Sequence, residues 1–253
     1  MSEHLLLTDL DNTLLYSYKH RLPGDVCVEY IHEKEQGYMS VRSLELLGQV
    51  IRRIPVIPVT TRSVEQYQRI HFPEGACPET AVVSNGAILL KNGVRDPEWD
   101  GRMSGIIAPC REEMYALCDR YSSDPHYIRC RIVDDSYLFV YCAKDADPEA
   151  CARELSLSTD LRVQVSGKKI YILPPDLHKG TAVRLMRQYE PGKVFVSAGD
   201  SIMDADMLRA ADIAIYPKGL ELPGYSGVSV LQPLESRLSD FMLDQVLTLC
   251  KGC

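Results

Sequence analysis

The chain has 253 residues, 25% of them charged and 45% hydrophobic, and a formal net charge of -7. That length serves one large domain or two modest ones, and the ordinary globular composition excludes a disordered chain. The acidic balance offers no whole-chain attraction to nucleic acid or an anionic membrane. No apolar run approaches the roughly 18 residues that a spanning helix needs.

The first residues carry no basic segment, and the apolar run at Leu5–Leu7 is too short for a signal peptide, so a cytoplasmic location is expected. The nine cysteines are scattered and odd in number, as free thiols in a reducing compartment would be. Only Cys250 and Cys253 form a CxxC pair, with no second pair to complete a zinc site.

Short apolar runs alternate with amphipathic stretches, the pattern of βα units around a parallel sheet. Strands are expected at Leu5–Thr8, Val56–Thr60, Ala81–Ser84, Val194–Ala198 and Asp212–Tyr216. Helices are expected at Val41–Arg53, Val64–Arg69, Thr181–Tyr189, Ala205–Ala210 and Ser239–Leu249. The stretch CVEYIHEKEQGYMS reads as a hairpin about a glycine-containing turn. The middle third holds further strands (YIRCRIV, YLFVYC, LRVQVS, KKIYIL) and two helices (REEMYALCDRYS, PEACARELS). That content predicts an α+β unit over 89–174, inserted into a core of 1–88 and 175–253, with Pro174-Pro175 as the exit.

The chemistry gathers where strands end. HLLLTDLDNTLL places Asp9 and Asp11 two residues apart at the first strand end, a costly repulsion unless a cation or shared proton offsets it. A calcium loop is ruled out by Leu14 and His20, where glycine and glutamate are required. A helix cap would need one acid only. PVIPVTTRS closes a strand with Thr60, Thr61 and Arg62, whose hydroxyls, backbone N–H groups and guanidinium suit a phosphate. LHKGTAVRLM sets Lys179 at a helix start, where dipole and ammonium both favour an anion. FVSAGDSIMDADML ends a strand in Gly199-Asp200, with Asp204 one turn on, and carboxylates on separate strand ends can converge on Mg²⁺.

In that order DLDNT, VTTR, LHKGTA and GDSIMDADML resemble the haloacid dehalogenase-like (HAD) hydrolase superfamily. SNGA at Ser84–Ala87 is similar to the subgroup with an inserted α/β cap, which includes sucrose-phosphate and Cof-type sugar phosphatases. The resemblance implies an α/β fold, a Rossmann-like parallel-sheet core with an inserted α+β cap. It implies a Mg²⁺-dependent phosphatase acting on a small phosphorylated metabolite, most simply a sugar phosphate, with neither nucleic acid nor membrane as partner. Asp9 would be the nucleophile, and Asp11 would protonate the leaving alkoxide and then activate water. Mg²⁺ would be held by Asp9, the Asp11 main-chain carbonyl and Asp200, with Asp204 supporting or ligating. Thr60, Thr61, Arg62 and Asn85 would bind phosphate, and Lys179 would hold both the phosphoryl oxygens and the charge on Asp9.

The chain departs from the subgroup at Thr61, which replaces the usual glycine, and in the long insert before Ser40. In the middle unit, Arg129, Arg131 and Lys168 are candidate substrate contacts, or else belong to a solvated strand face. The alternatives are a phosphotransferase or mutase on the same scaffold and a non-catalytic binder of a phosphorylated ligand or partner.

Overall fold

The computed structural model describes residues 3–250, so Cys253 of the CxxC pair lies outside the described residues. The chain divides into two units, one formed by residues up to Arg95 together with those from Lys179 onward, the other by Asp96–His178. The first half of unit one holds β1 (His4–Thr8), β2 (Tyr16–Ser17), β3 (Val26–Ile31), β4 (Lys34–Met39), α1 (Val41–Ile51), β5 (Val56–Pro58), α2 (Val64–Gln68), β6 (Thr80–Val83), β7 (Ile88–Lys91) and β8 (Val94–Arg95). Unit two contains α3 (Pro97–Ile107), α4 (Arg111–Tyr121), β9 (Tyr127–Val133), β10 (Tyr137–Cys142), α5 (Pro148–Ser156), β11 (Arg162–Ser166) and β12 (Lys169–Leu173). Unit one then resumes with α6 (Lys179–Tyr189), β13 (Val194–Ala198), α7 (Ala205–Arg209), β14 (Ile213–Pro217), β15 (Val228–Gln232) and α8 (Leu238–Leu249).

The centre of unit one is a five-stranded parallel sheet in the order β15-β14-β13-β1-β5. The near-continuous apolar run of β1 follows from burial on both faces. Leu6 joins Val196, Ile215, Leu47 and Val50 of α1, and Met242, Leu243 and Val246 of α8 in one cluster, while Leu5 and Leu7 are also fully buried. Each such leucine contributes about 1.5–3 kcal/mol relative to exposure, so β1 is anchored before any polar contact is counted. Pro58 is tolerated because β5 ends the five-stranded order.

Two expectations are corrected. The fifth strand is β15; the segment expected at Ala81–Ser84 forms β6 in a small antiparallel sheet with β7 and β8, touching the parallel sheet through a Val59–Val82 bridge. The two compact units meet at Arg95/Asp96 and His178/Lys179, beside the expected breaks at 88 and 174, and β7 and β8 pair with β6 within unit one. The insert is a hairpin, but it turns at His32–Glu33, both with positive φ (47° and 63°), and Gly37 lies inside β4 opposite Glu29.

Unit two is an antiparallel sheet in the order β11-β12-β10-β9 with α4 against β9 and β10 and α5 against β11 and β12. Its helix α3 had no counterpart among the expected elements; it starts on Pro97 with Asp96 as cap, whose carboxylate accepts from Trp99 N at 2.9 Å. No helix among the described residues is long and apolar enough to cross a membrane.

Gly180 sits where α6 meets α7: a Cβ there would lie 2.4 Å from the Asp206 carbonyl oxygen. Alanine ordinarily stabilises a helix interior relative to glycine by about 1 kcal/mol. Here the backbone clash reverses the sign, and Gly180→Ala is expected to cost roughly 1–3 kcal/mol in urea unfolding. An unchanged or raised midpoint would contradict this packing.

Candidate active site

The site is assembled by parallel pairing. Thr8 is in register with Ala198, and Asp9 N donates to Ala198 O at 2.8 Å, so the residues that follow β1 and β13 emerge side by side. On the other side Val59 N donates to Thr8 O at 2.8 Å, and the register of Thr8 with Pro58 brings the Val59–Thr60 end of β5 beside Asp9. Such ends of parallel strands are where open α/β sheets bind ligands.

At the centre is Lys179, the first residue of α6, whose side chain is 2% exposed. Its Nζ donates to Asp9 Oδ1 at 2.5 Å and to Asp204 Oδ1 at 2.7 Å. Asp204 is fixed by its own turn: its Oδ2 accepts from Asp200 N (3.2 Å), Ser201 N (3.1 Å) and Ser201 Oγ (3.0 Å). That turn folds back so tightly that a Cβ on Gly199 would lie 2.4 Å from the Asp204 Cβ, which accounts for the glycine. Asp200 accepts a long hydrogen bond from Thr13 Oγ1 at 3.4 Å. One carboxylate oxygen each from Asp9, Asp200 and Asp204 lie within 4.8 Å of one another.

Charge follows from this geometry. Burial pushes the Asp9 carboxyl well above the usual range, reinforced by Asp204, Asp11 and Asp200 and opposed by Lys179. Burial and the neighbouring Asp204 push Asp200 up to about 6. Burial works against the Lys179 ammonium, but Asp204 and Asp9 more than reverse it, and the group stays protonated. Three clustered carboxylates thus face a single buried ammonium. The donor set is all oxygen, and the surplus negative charge suits a hard divalent cation; Mg²⁺ fits both.

The phosphate-binding candidates lie on two loops stitched together: Thr60 N donates to Val82 O, Ser84 N to Arg62 O and Asn85 N to Thr60 O. Ser84 and Asn85 both have positive φ, and Asn85 is buried. The Thr60 hydroxyl accepts from Arg62 N at 3.1 Å, and Thr61, next in the loop, is half-buried. Arg62 is engaged with two acids. Its guanidinium forms a bidentate pair with Asp11 (Nε–Oδ2 3.0 Å, Nη2–Oδ1 2.8 Å) and donates to Glu29 Oε1 at 2.9 Å. Glu29 went unnoticed in the sequence; the one available signal was an acid paired across a hairpin with glycine.

In unit two, Arg129 is exposed, and Arg131 lies 5.9 Å from the centre of the Phe139 ring, which packs edge-on to Tyr171. Lys168 has a structural task instead: its Nζ donates to the carbonyls of Ala143, Lys144 and Ala146 and so closes the loop after β10.

Magnesium is expected to raise the melting temperature. At a hundredfold excess over its dissociation constant the gain is about 2.7 kcal/mol, on the order of 5 °C for a chain this long. Asp200→Asn is expected to melt higher than wild type in chelator, because a buried repulsion is gone, and to lose the magnesium increment. Thermal scans with and without the ion check both; an increment retained in Asp200→Asn would exclude that carboxylate as a ligand.

No family model matches the chain, and no curated protein matches it in sequence. Solved structures are similar over the whole length. A Thermoplasma acidophilum protein has a TM-score of 0.69 at 12% identity, covering 100% of both chains. The sucrose-phosphatase from Synechocystis, solved with sucrose and phosphate, has a TM-score of 0.64 at 15% identity, covering 98% of each chain. A trehalose-6-phosphate phosphatase related protein has 0.57 at 19% identity, covering 98% of this chain and 99% of that one. At such identities the likeness is one of fold alone: a parallel α/β core whose chain is interrupted by a second, α+β unit.

Proposed function

We propose that the protein is a Mg²⁺-dependent phosphatase that hydrolyses the phosphate monoester of a small polar metabolite, most simply a sugar phosphate. The observation that carries this reading is the buried constellation of Asp9, Lys179, Asp204 and Asp200, with a further carboxylate, Asp11, two residues from Asp9. The fold shared with a structure holding sucrose and phosphate, and with a relative of a sugar-phosphate phosphatase, supports the substrate class.

Asp9 carries the nucleophilic role because Lys179 holds one of its oxygens and opposes the burial and neighbouring acids that favour its protonated form. Its carboxylate attacks phosphorus, the bond to the alkoxide breaks, and an aspartyl-phosphate forms. Asp11, with one oxygen released from Arg62 and protonated, gives that proton to the departing alkoxide and then takes one from the water that attacks the same phosphorus, which frees Asp9 and inorganic phosphate. The Thr60 hydroxyl and the Lys179 ammonium orient the phosphoryl oxygens. The carboxylates of Asp9 and Asp200, the Asp11 main-chain carbonyl and, in support, Asp204 would hold Mg²⁺, which supplies charge neutralisation to the phosphoryl group. Asp204 suits support better than ligation, since both its oxygens already accept hydrogen bonds.

Asp9→Asn is expected to lose phosphate release by at least roughly 10³-fold while remaining folded. The check is inorganic phosphate released from a panel of phosphorylated sugars with magnesium present. A wild-type chain inert toward the whole panel would overturn the reading.

A further inference from the structure

The inserted hairpin delivers one group to the site's edge that neither capping nor folding explains. Glu29 lies in β3 with its side chain 4% exposed, and it accepts from Arg62 Nη1 at 2.9 Å with Arg69 Nε 3.6 Å away. A buried carboxylate is costly, and an apolar residue at such a position is often as stable or more so. The hairpin accommodates it only through its partner in register, Gly37, where a Cβ would lie 2.8 Å from Glu29 Oε2 and 3.0 Å from Glu29 Cβ. Two ties seat the strand: His71 N donates to Val28 O at 2.7 Å, and Glu29 bridges to Ile70. The acid is therefore held fast on one side of a guanidinium whose other side grips both oxygens of Asp11.

An arginine fork has one plane, and fixing one of its nitrogens fixes the direction of the other donors. We propose that Glu29 is a positioning residue for proton transfer: by orienting Arg62 it sets the direction in which the Asp11 carboxyl is presented. This rests on the phosphatase reading above. Asp11 is half-exposed, and its bond to Arg62 links its carboxylate to a largely buried guanidinium. The insert thereby contributes to the reaction without touching the phosphoryl group.

Leaving-group dependence separates this from a merely structural role. The nitrophenolate of p-nitrophenyl phosphate departs without a proton, whereas the alkoxides of glycerol 3-phosphate and hexose 6-phosphates need one. Two variants are compared with wild type by kcat/KM on both classes, with magnesium present. Glu29→Gln keeps the shape and removes the charge; Gly37→Ala removes no chemical group and displaces Glu29. Both are expected to lose on the order of 10- to 100-fold on the alkyl phosphates and less than about 3-fold on p-nitrophenyl phosphate. Retained turnover of p-nitrophenyl phosphate is itself the sign that the core site is folded. Equal losses on both classes, or none on either, overturn the inference and leave the phosphatase reading standing. A wild type inert toward every ester overturns both.

Discussion

The site depends on one ammonium bridging two carboxylates that arrive from opposite directions in the chain. Lys179 reaches Asp9 from the end of β1 and Asp204 from the turn after β13. Burying a lysine costs several kcal/mol unless its partners are in place, and leaving either acid buried without it costs comparably. The three therefore stand or fall together. The crowding around them explains two glycines that would otherwise look incidental. Gly199 lets the Asp204 turn close, and Gly180 lets the helix that carries Lys179 lie against α7. A lysine at this depth gives its acids a fixed orientation, and one ammonium leaves the cluster of carboxylates in want of a further cation.

Much of this was legible in the sequence because acids at the ends of apolar strands, together with a lysine at a helix start, are hard to explain in any other way. Asp9, Lys179, Asp200 and Asp204 were singled out by that argument, and they meet. Other parts left weaker traces. The strand β15 exposes much of its length and shows no continuous apolar run. The helix α3 is interrupted by Gly101 and Gly105, which lower its intrinsic helicity. The hairpin turn fell on His32–Glu33, where positive φ is adopted without the asparagine or glycine that would signal it. The glycine taken for that turn had another purpose, clearing space for Glu29. Arg62 illustrates a different limit. Its side chain suits phosphate chemically, but pairing with Asp11 and Glu29 depends on contacts remote in sequence.

The loops around the site share a construction principle. Backbone hydrogen bonds hold the Thr60 loop to the Ser84–Asn85 turn, and Thr60, Ser84 and Asn85 are all buried there. The insert is tied down by charge as well. Arg237, at the start of α8, donates from Nη1 to both Asp25 carboxylate oxygens at 2.7 and 2.8 Å and lies over the Tyr16 ring at 3.7 Å, and Asp25 and Tyr16 sit just before the hairpin and at its neighbouring strand. A hairpin held at both its base and its flank is stiff enough to transmit the position of one buried acid.

The proline within β5 has a wider meaning. Toward β1, the contacts of this strand come from Pro55 O and Val59 N, so the nitrogens of alternate residues, Pro58 among them, point away from β1. On that outer side Thr60 N is already taken by Val82 O, and Pro58 has no hydrogen to offer. A foreign strand arriving there finds an interrupted row of donors. The margin of the sheet is thus blunted against edge-to-edge association, a safeguard against aggregation built into the same strand that leads to Thr60.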